Sequence, residues 1–217
     1  MKKDLTELVF ILDRSGSMSG LESDTIGGYN SMLEKQKKED GQAIITTVLF
    51  DNEYQLLHDR VNLKGIQAIT DKEYYVRGTT ALLDAVGLTI SKIINVQKHT
   101  TKEERAGHVM FVIITDGYEN ASREFTYDKV RQMIEIQKNK YFWEFIFLGA
   151  NIDAAATAES IGIREDRASN FNADSEGVSL NYEVLSETVS QLRADKTISK
   201  DWKERIDRDY EKRERKS

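Results

Sequence analysis

The chain lacks cysteine and proline entirely, and it carries only three histidines in 217 residues. Without cysteine there are no disulfides, no thiolate nucleophile and no cysteine-based zinc site. The histidines, His58, His99 and His108, show no HExxH or other paired spacing, so a zinc enzyme is not expected. Proline is usually about 5% of a chain. In its absence turns rest on Gly, Asn, Asp and Ser, which makes each cluster of those residues a sharper boundary marker. No apolar run approaches the ~20 residues of a membrane span. The apolar segment Leu8–Leu12 is shorter than a signal-peptide core of ~7–15 residues, and a cytoplasmic protein without membrane association is expected.

Acidic residues exceed basic ones by six, which argues against a nucleic-acid partner. The excess is uneven. Residues 195–217 carry nine Lys/Arg against seven Asp/Glu, so the preceding 194 residues hold a charge of −8. A negatively charged partner would need a local positive charge on that body, for instance a metal ion. A P-loop GxxxxGK[ST] and a strand-following GxGxxG are both missing, so nucleotide chemistry lacks its phosphate cradle.

What is present is an alternation of apolar runs and helix-period segments. Strands are predicted at Leu8–Leu12, 43–50, 54–61, 108–115, 142–149 and around 168–172. Helices are predicted over 24–39, 81–96, 126–139, 153–161 and 177–194. Only "DNE" separates the second and third strands, which requires an antiparallel hairpin. The pattern predicts an α/β, doubly wound, Rossmann-like and mostly parallel sheet with one antiparallel edge strand and helices on both faces. Ligands of such sheets lie beyond the carboxyl ends of the strands.

Residues 1–195 read as this domain and 196–217 as a charged C-terminal helix or tail. In the tail Ile198, Trp202, Ile206 and Tyr210 recur every four residues, supported by the pairs Glu204/Arg208, Asp209/Arg213 and Glu211/Arg215. Docking of Trp202 onto the chain's own domain is the favoured reading, and an attachment helix for another subunit the alternative.

Three separated pieces carry the chemistry. "VFILDRSGSMSG" (9–20) stops an apolar strand at Asp13 and follows it with Ser15 and Ser17. "RGTTALLDAVG" (77–87) places two threonines before a helix, and "VIITDGYEN" (112–120) ends another strand at Asp116. In a doubly wound sheet all three reach the same edge. Two carboxylates with serine and threonine hydroxyls suit a hard divalent cation, Mg²⁺ or Mn²⁺. The hydroxyls coordinate without neutralising charge, so the ion stays able to accept an outside carboxylate. Side chains two apart in a locally extended loop face one way; Arg14 then points elsewhere and is expected to be solvated. Glu119 and Asn120 are expected to serve the loop and a helix start, and Asn151 and Asp153 a helix N-cap. His58 and His108 are assigned no catalytic role.

These pieces, in this order and context over about residues 5–195, resemble the von Willebrand factor A (VWA) family, specifically its intracellular prokaryotic members. The resemblance implies the VWA fold and a metal-ion-dependent adhesion site (MIDAS). Carried over, Asp13, Ser15 and Ser17 form the first cluster and Asp116 the later carboxylate. Thr80, two after Gly78 and five before Ala85, is the threonine chosen, with Thr79 in reserve. The implied function is non-enzymatic: a bound Mg²⁺ or Mn²⁺ accepts an Asp or Glu carboxylate from an unidentified protein partner, the chain acting as subunit or scaffold of an intracellular complex. The alternatives are a Mg²⁺-dependent phosphoryl-transfer enzyme and a structural domain with a vestigial site.

Overall fold

The computed structural model describes residues 1–194 and 197–214. Six strands form one sheet: β1 (Lys2–Asp13), β2 (Gln42–Phe50), β3 (Tyr54–Asn62), β4 (Ala106–Thr115), β5 (Glu144–Gly149) and β6 (Ala168–Asn170). Their spatial order is β3-β2-β1-β4-β5-β6, and every pairing is parallel except β2 with β3. The predicted fold class is the one observed. Strand order reverses between β1 and β4, whose carboxyl ends lie side by side with Leu12 opposite Ile114.

Alternation along the central strands sorts the core into two layers. Leu8, Phe10 and Leu12 pack with Met110, Val112 and Ile114 against α1 (Glu22–Gln36) and α5 (Ser175–Arg193). Val9, Ile11, Phe111 and Ile113 face the other way, against α2 (Leu82–His99), α3 (Tyr127–Tyr141) and α4 (Ala154–Ser160). Helix ends follow local chemistry. Asp153 and Asp174 cap α4 and α5 by accepting from the backbone N–H groups of Ala156 and Gly177. Gly41, at φ +82°, supplies the left-handed residue that turns the chain after α1 into β2.

The charged C-terminal segment docks on the domain. Ile198, Trp202 and Ile206 are buried in the same layer as α1 and α5, and Tyr210 is half-buried. The Trp202 indole donates to the Asp166 carbonyl at 2.9 Å, and Lys203 donates to the Ala168 carbonyl at 2.7 Å. The last helix, α6 (Glu204–Glu214), packs along β6. Glu204 pairs with Arg208 and Asp209 with Arg213. The third pair, Glu211/Arg215, and the boundary between 195 and 196 lie outside the described residues.

One contact decides how closely α1 and α5 approach. A Cβ added at Gly28 would sit 2.3 Å from Cδ2 of Tyr182, whereas one at Gly27 would meet nothing within 4 Å. Gly28→Ala is therefore expected to destabilise the fold by about 1–3 kcal/mol through overpacking. Gly27→Ala gains up to ~1 kcal/mol of helix propensity instead. Thermal denaturation of the two variants should show opposite shifts in Tm; a common sign would refute this packing account.

Candidate metal centre

The last residue of β1 is Asp13, and the residue after β4 is Asp116. Burial leaves both carboxylates almost inaccessible, at 1% and 2% exposure. One Asp13 oxygen accepts from the Ser15 backbone N–H at 2.7 Å, and the other from the Thr115 hydroxyl at 2.6 Å. The Tyr74 hydroxyl donates to the Asp13 carbonyl at 2.5 Å. The Asp13 side chain is thereby fixed from both strands before any ligand arrives.

The hydroxyls complete the cluster. The Ser15 and Ser17 oxygens are 3.1 Å apart, and the Thr80 hydroxyl donates to Ser15 Oγ at 2.9 Å. Ser15 and Thr80 are buried, while Ser17 is exposed, so the cluster opens to solvent on the Ser17 side. Thr79 is exposed and lies in a polar groove beside the site, lined also by Asn120 and Arg123. The loop is not extended throughout. Ser15 is extended, but Gly16–Met18 form a 3-10 turn, and it is this turn that brings the two serine hydroxyls together.

The electrostatics fit a cation. Burial pushes the Asp13 carboxyl above its ordinary value, against the hydrogen bonds from Thr115 and Ser15. Burial pushes Asp116 up to about 6; the Asn151 amide opposes this, and the charge of Asp13 adds to it. Two carboxylates placed this close favour ionisation once positive charge lies between them. The space is kept free as well: a Cβ at Gly117 would stand 3.1 Å from Ser17 Oγ and 3.4 Å from Thr80 Oγ1. Among the described residues no three His, Cys, Asp or Glu side chains gather into a metal cluster. The donor set is rich in neutral hydroxyls, which suits a hard cation.

Several supporting residues differ from expectation. Arg14 is not solvated; it is completely buried. Its Nε donates to Asp51 at 2.8 Å and its Nη1 to Gln55 at 2.5 Å, while Nη2 has no partner. Arg77 Nε donates to the same Asp51 oxygen at 2.8 Å. The Tyr75 ring lies 5.3 Å from the Arg14 guanidinium and 5.8 Å from that of Arg77. Backbone bonds reinforce the join: Arg77 N–H donates to the Arg14 carbonyl, Gly16 N–H to that of Gly78, and Ala81 N–H to that of Asp51. The loop carrying Ser15 and Ser17 is thus tied to the loop carrying Thr80 through the β2–β3 turn.

Asn151 also plays another part. It is not the helix cap, which Asp153 provides; it adopts φ +54° and donates its amide to Asp116. Asn120 accepts from the Thr80 N–H at 2.9 Å, holding that threonine directly. Glu119 accepts from Leu83 N–H at the start of α2, as expected of a helix-start residue. His58 contacts Thr47 at 3.0 Å on the edge hairpin, away from this cluster.

The fold is the VWA fold. No family model matches the sequence, and no curated protein matches it; the likeness lies in the structure. Proximal thread matrix protein 1 from the mussel byssus superposes with a TM-score of 0.61 at 15% identity, covering 88% of this chain and 47% of that one. The same protein with a zinc-occupied MIDAS motif gives 0.59 at 12% identity, again over 88% and 47%. The vWF domain of the type V pili tip protein Mfa5 from Porphyromonas gingivalis gives 0.61 at 12% identity, over 85% of this chain and 94% of that one. The chain thus spans about half the length of the mussel protein and nearly all of the Mfa5 domain.

The Arg14–Asp51 pair generates a prediction. Removing one partner of a fully buried pair leaves an uncompensated charge, at a cost of about 3–5 kcal/mol. Asp51→Ala is expected to lose stability of that order in urea denaturation. The double variant Arg14→Met/Asp51→Leu, which removes both charges, should lose less. A double variant at least as damaged as the single one would show that the charge pairing is not what holds the turn.

Proposed function

We propose that this chain is a metal-dependent protein-binding module of the MIDAS type. Asp13, Ser15, Ser17, Thr80 and Asp116 would hold Mg²⁺ or Mn²⁺. The observation that carries the reading is the convergence of three hydroxyls and two buried carboxylates at adjacent strand ends, with one side open to solvent. When bound, the ion supplies a Lewis-acidic position for a partner's Asp or Glu carboxylate. The chain's own contribution is to hold Asp13 through Thr115 and Ser15, to orient Asp116 through Asn151, and to fix Thr80 through Asn120. The zinc-occupied MIDAS of the mussel protein supports a divalent ion in a site of this fold.

The reading is of binding rather than catalysis. It extends to a cytoplasmic subunit or scaffold of a larger assembly, for which the family resemblance of the sequence motifs is the support. Fractionation of cells expressing the chain, followed by size-exclusion chromatography, tests this: the chain should appear in the cytosol and elute above its own mass.

The metal proposal has a direct test. Titration calorimetry of the wild type with Mg²⁺ and with Mn²⁺ should give one saturable site, lost in Asp13→Ala. Equal, negligible heats from both proteins would sink it. In a pull-down, the partner should be released by EDTA and rebound on adding excess Mg²⁺. A partner retained in full without divalent ions would place recognition elsewhere on the surface.

A further inference from the structure

A second cavity lies at the opposite end of β4 from the metal centre. The ten residues of β4, nine steps of ~3.3 Å, put the two about 30 Å apart. Its volume is about 320 Å³, within the range of small-molecule sites. The walls come from the last turns of α2 and α3 and the residues entering β4 and β5. Ile94, Val109, Ile136 and Trp143 supply apolar surface, and Lys98 and Arg105 bring two positive charges. Among the described residues no carboxylate lines it, in a chain whose net charge is −6.

Two features go beyond a hydrophobic gap. Gln137 is 5% exposed and Trp143 6% exposed, yet neither the Gln137 amide nor the Trp143 indole N–H has a hydrogen-bond partner among the described residues. The polar atoms of both still reach solvent, so an amide and an indole N–H stand free at the same cavity wall. Trp143 also ends an aromatic stack: it lies 5.5 Å from Phe111 at an interplanar angle of 16°, and Phe111 lies 4.9 Å from Phe145. Trp143 thus brings the terminal ring of that stack to the cavity wall.

We propose that this cavity binds a small aromatic carboxylate. The ring packs among Trp143, Ile94 and Ile136, the carboxylate lies near Lys98 and Arg105, and the free N–H groups of Gln137 and Trp143 donate to its oxygens. Arg105 is positioned for this, since its Nε is already held by the Thr100 carbonyl at 2.9 Å. The site is independent of the metal centre and of the function proposed for it.

The test uses naphthalene-1-carboxylate and its uncharged carboxamide as probes of one shape. Titration calorimetry of the wild-type chain should show 1:1 binding of the carboxylate, at least tenfold tighter than the carboxamide and unchanged by EDTA. Lys98→Gln/Arg105→Gln should weaken the carboxylate at least tenfold. In ¹H–¹⁵N spectra of the wild type, shifts should centre on the Trp143 indole and on residues 106–109. No saturable binding at millimolar probe would mean a merely hydrated cavity and overturn the proposal. So would equal affinity for the two probes, or shifts centred on another surface. If the double variant loses its circular dichroism signal, the wild-type comparison of carboxylate with carboxamide decides.

Discussion

The buried pairing of Arg14 with Asp51 is the constraint on which the candidate metal centre rests. A full positive charge sits inside the protein, one residue from Asp13, and its counter-charge comes from a turn thirty-seven residues away. Because neither group is exposed, the chain cannot let one move without stranding the other. The same carboxylate also takes the Arg77 guanidinium, and through it the loop that delivers Thr80. Three segments distant in sequence are thereby held in one arrangement, and the distances between the hydroxyls follow from that clamp.

Strand ends do the remaining work. Parallel neighbours β1 and β4 stop side by side, so the aspartates that follow Leu12 and Thr115 meet without any long-range design in the loops. The positions of Ser15 and Ser17 then depend on a single 3-10 turn, and that of Thr80 on Asn120. The site is preorganised by many short local bonds and one buried long-range pair. Pocket-forming residues at the far end of β4 owe nothing to this clamp.

Much of this was legible from the residues alone. The strands announced themselves as apolar runs, and the three-residue "DNE" connection dictated an antiparallel edge. The metal-site candidates stood out as carboxylates and hydroxyls after buried strands. The burial of Arg14 is not legible, because an arginine in a Gly/Ser loop has no local mark of burial and its partner Asp51 sits in another turn. Asn before a short helix commonly caps it, and only the left-handed backbone turns the Asn151 amide towards Asp116 instead. The cavity beneath β4 was invisible for a similar reason: Lys98, Arg105, Gln137 and Trp143 come from four places in the chain and follow no motif.

The docked tail has a consequence for how other proteins can engage this one. An open edge strand invites an incoming chain to extend the sheet through backbone hydrogen bonds, a mode that reads little of the partner's side chains. At β6 that route is closed, since Lys203 occupies the Ala168 carbonyl, Asp207 takes the Ser169 hydroxyl, and α6 lies alongside. At the other margin β3 is irregular, with register breaks against β2 and a left-handed Arg60 drawn inward to the buried Glu7. With both flanks unsuited to strand addition, the partner recognition proposed for this chain falls to what a partner's side chains present at the loop end of the sheet. That favours recognition of a single residue in a chosen setting over the indiscriminate stacking of extended chains.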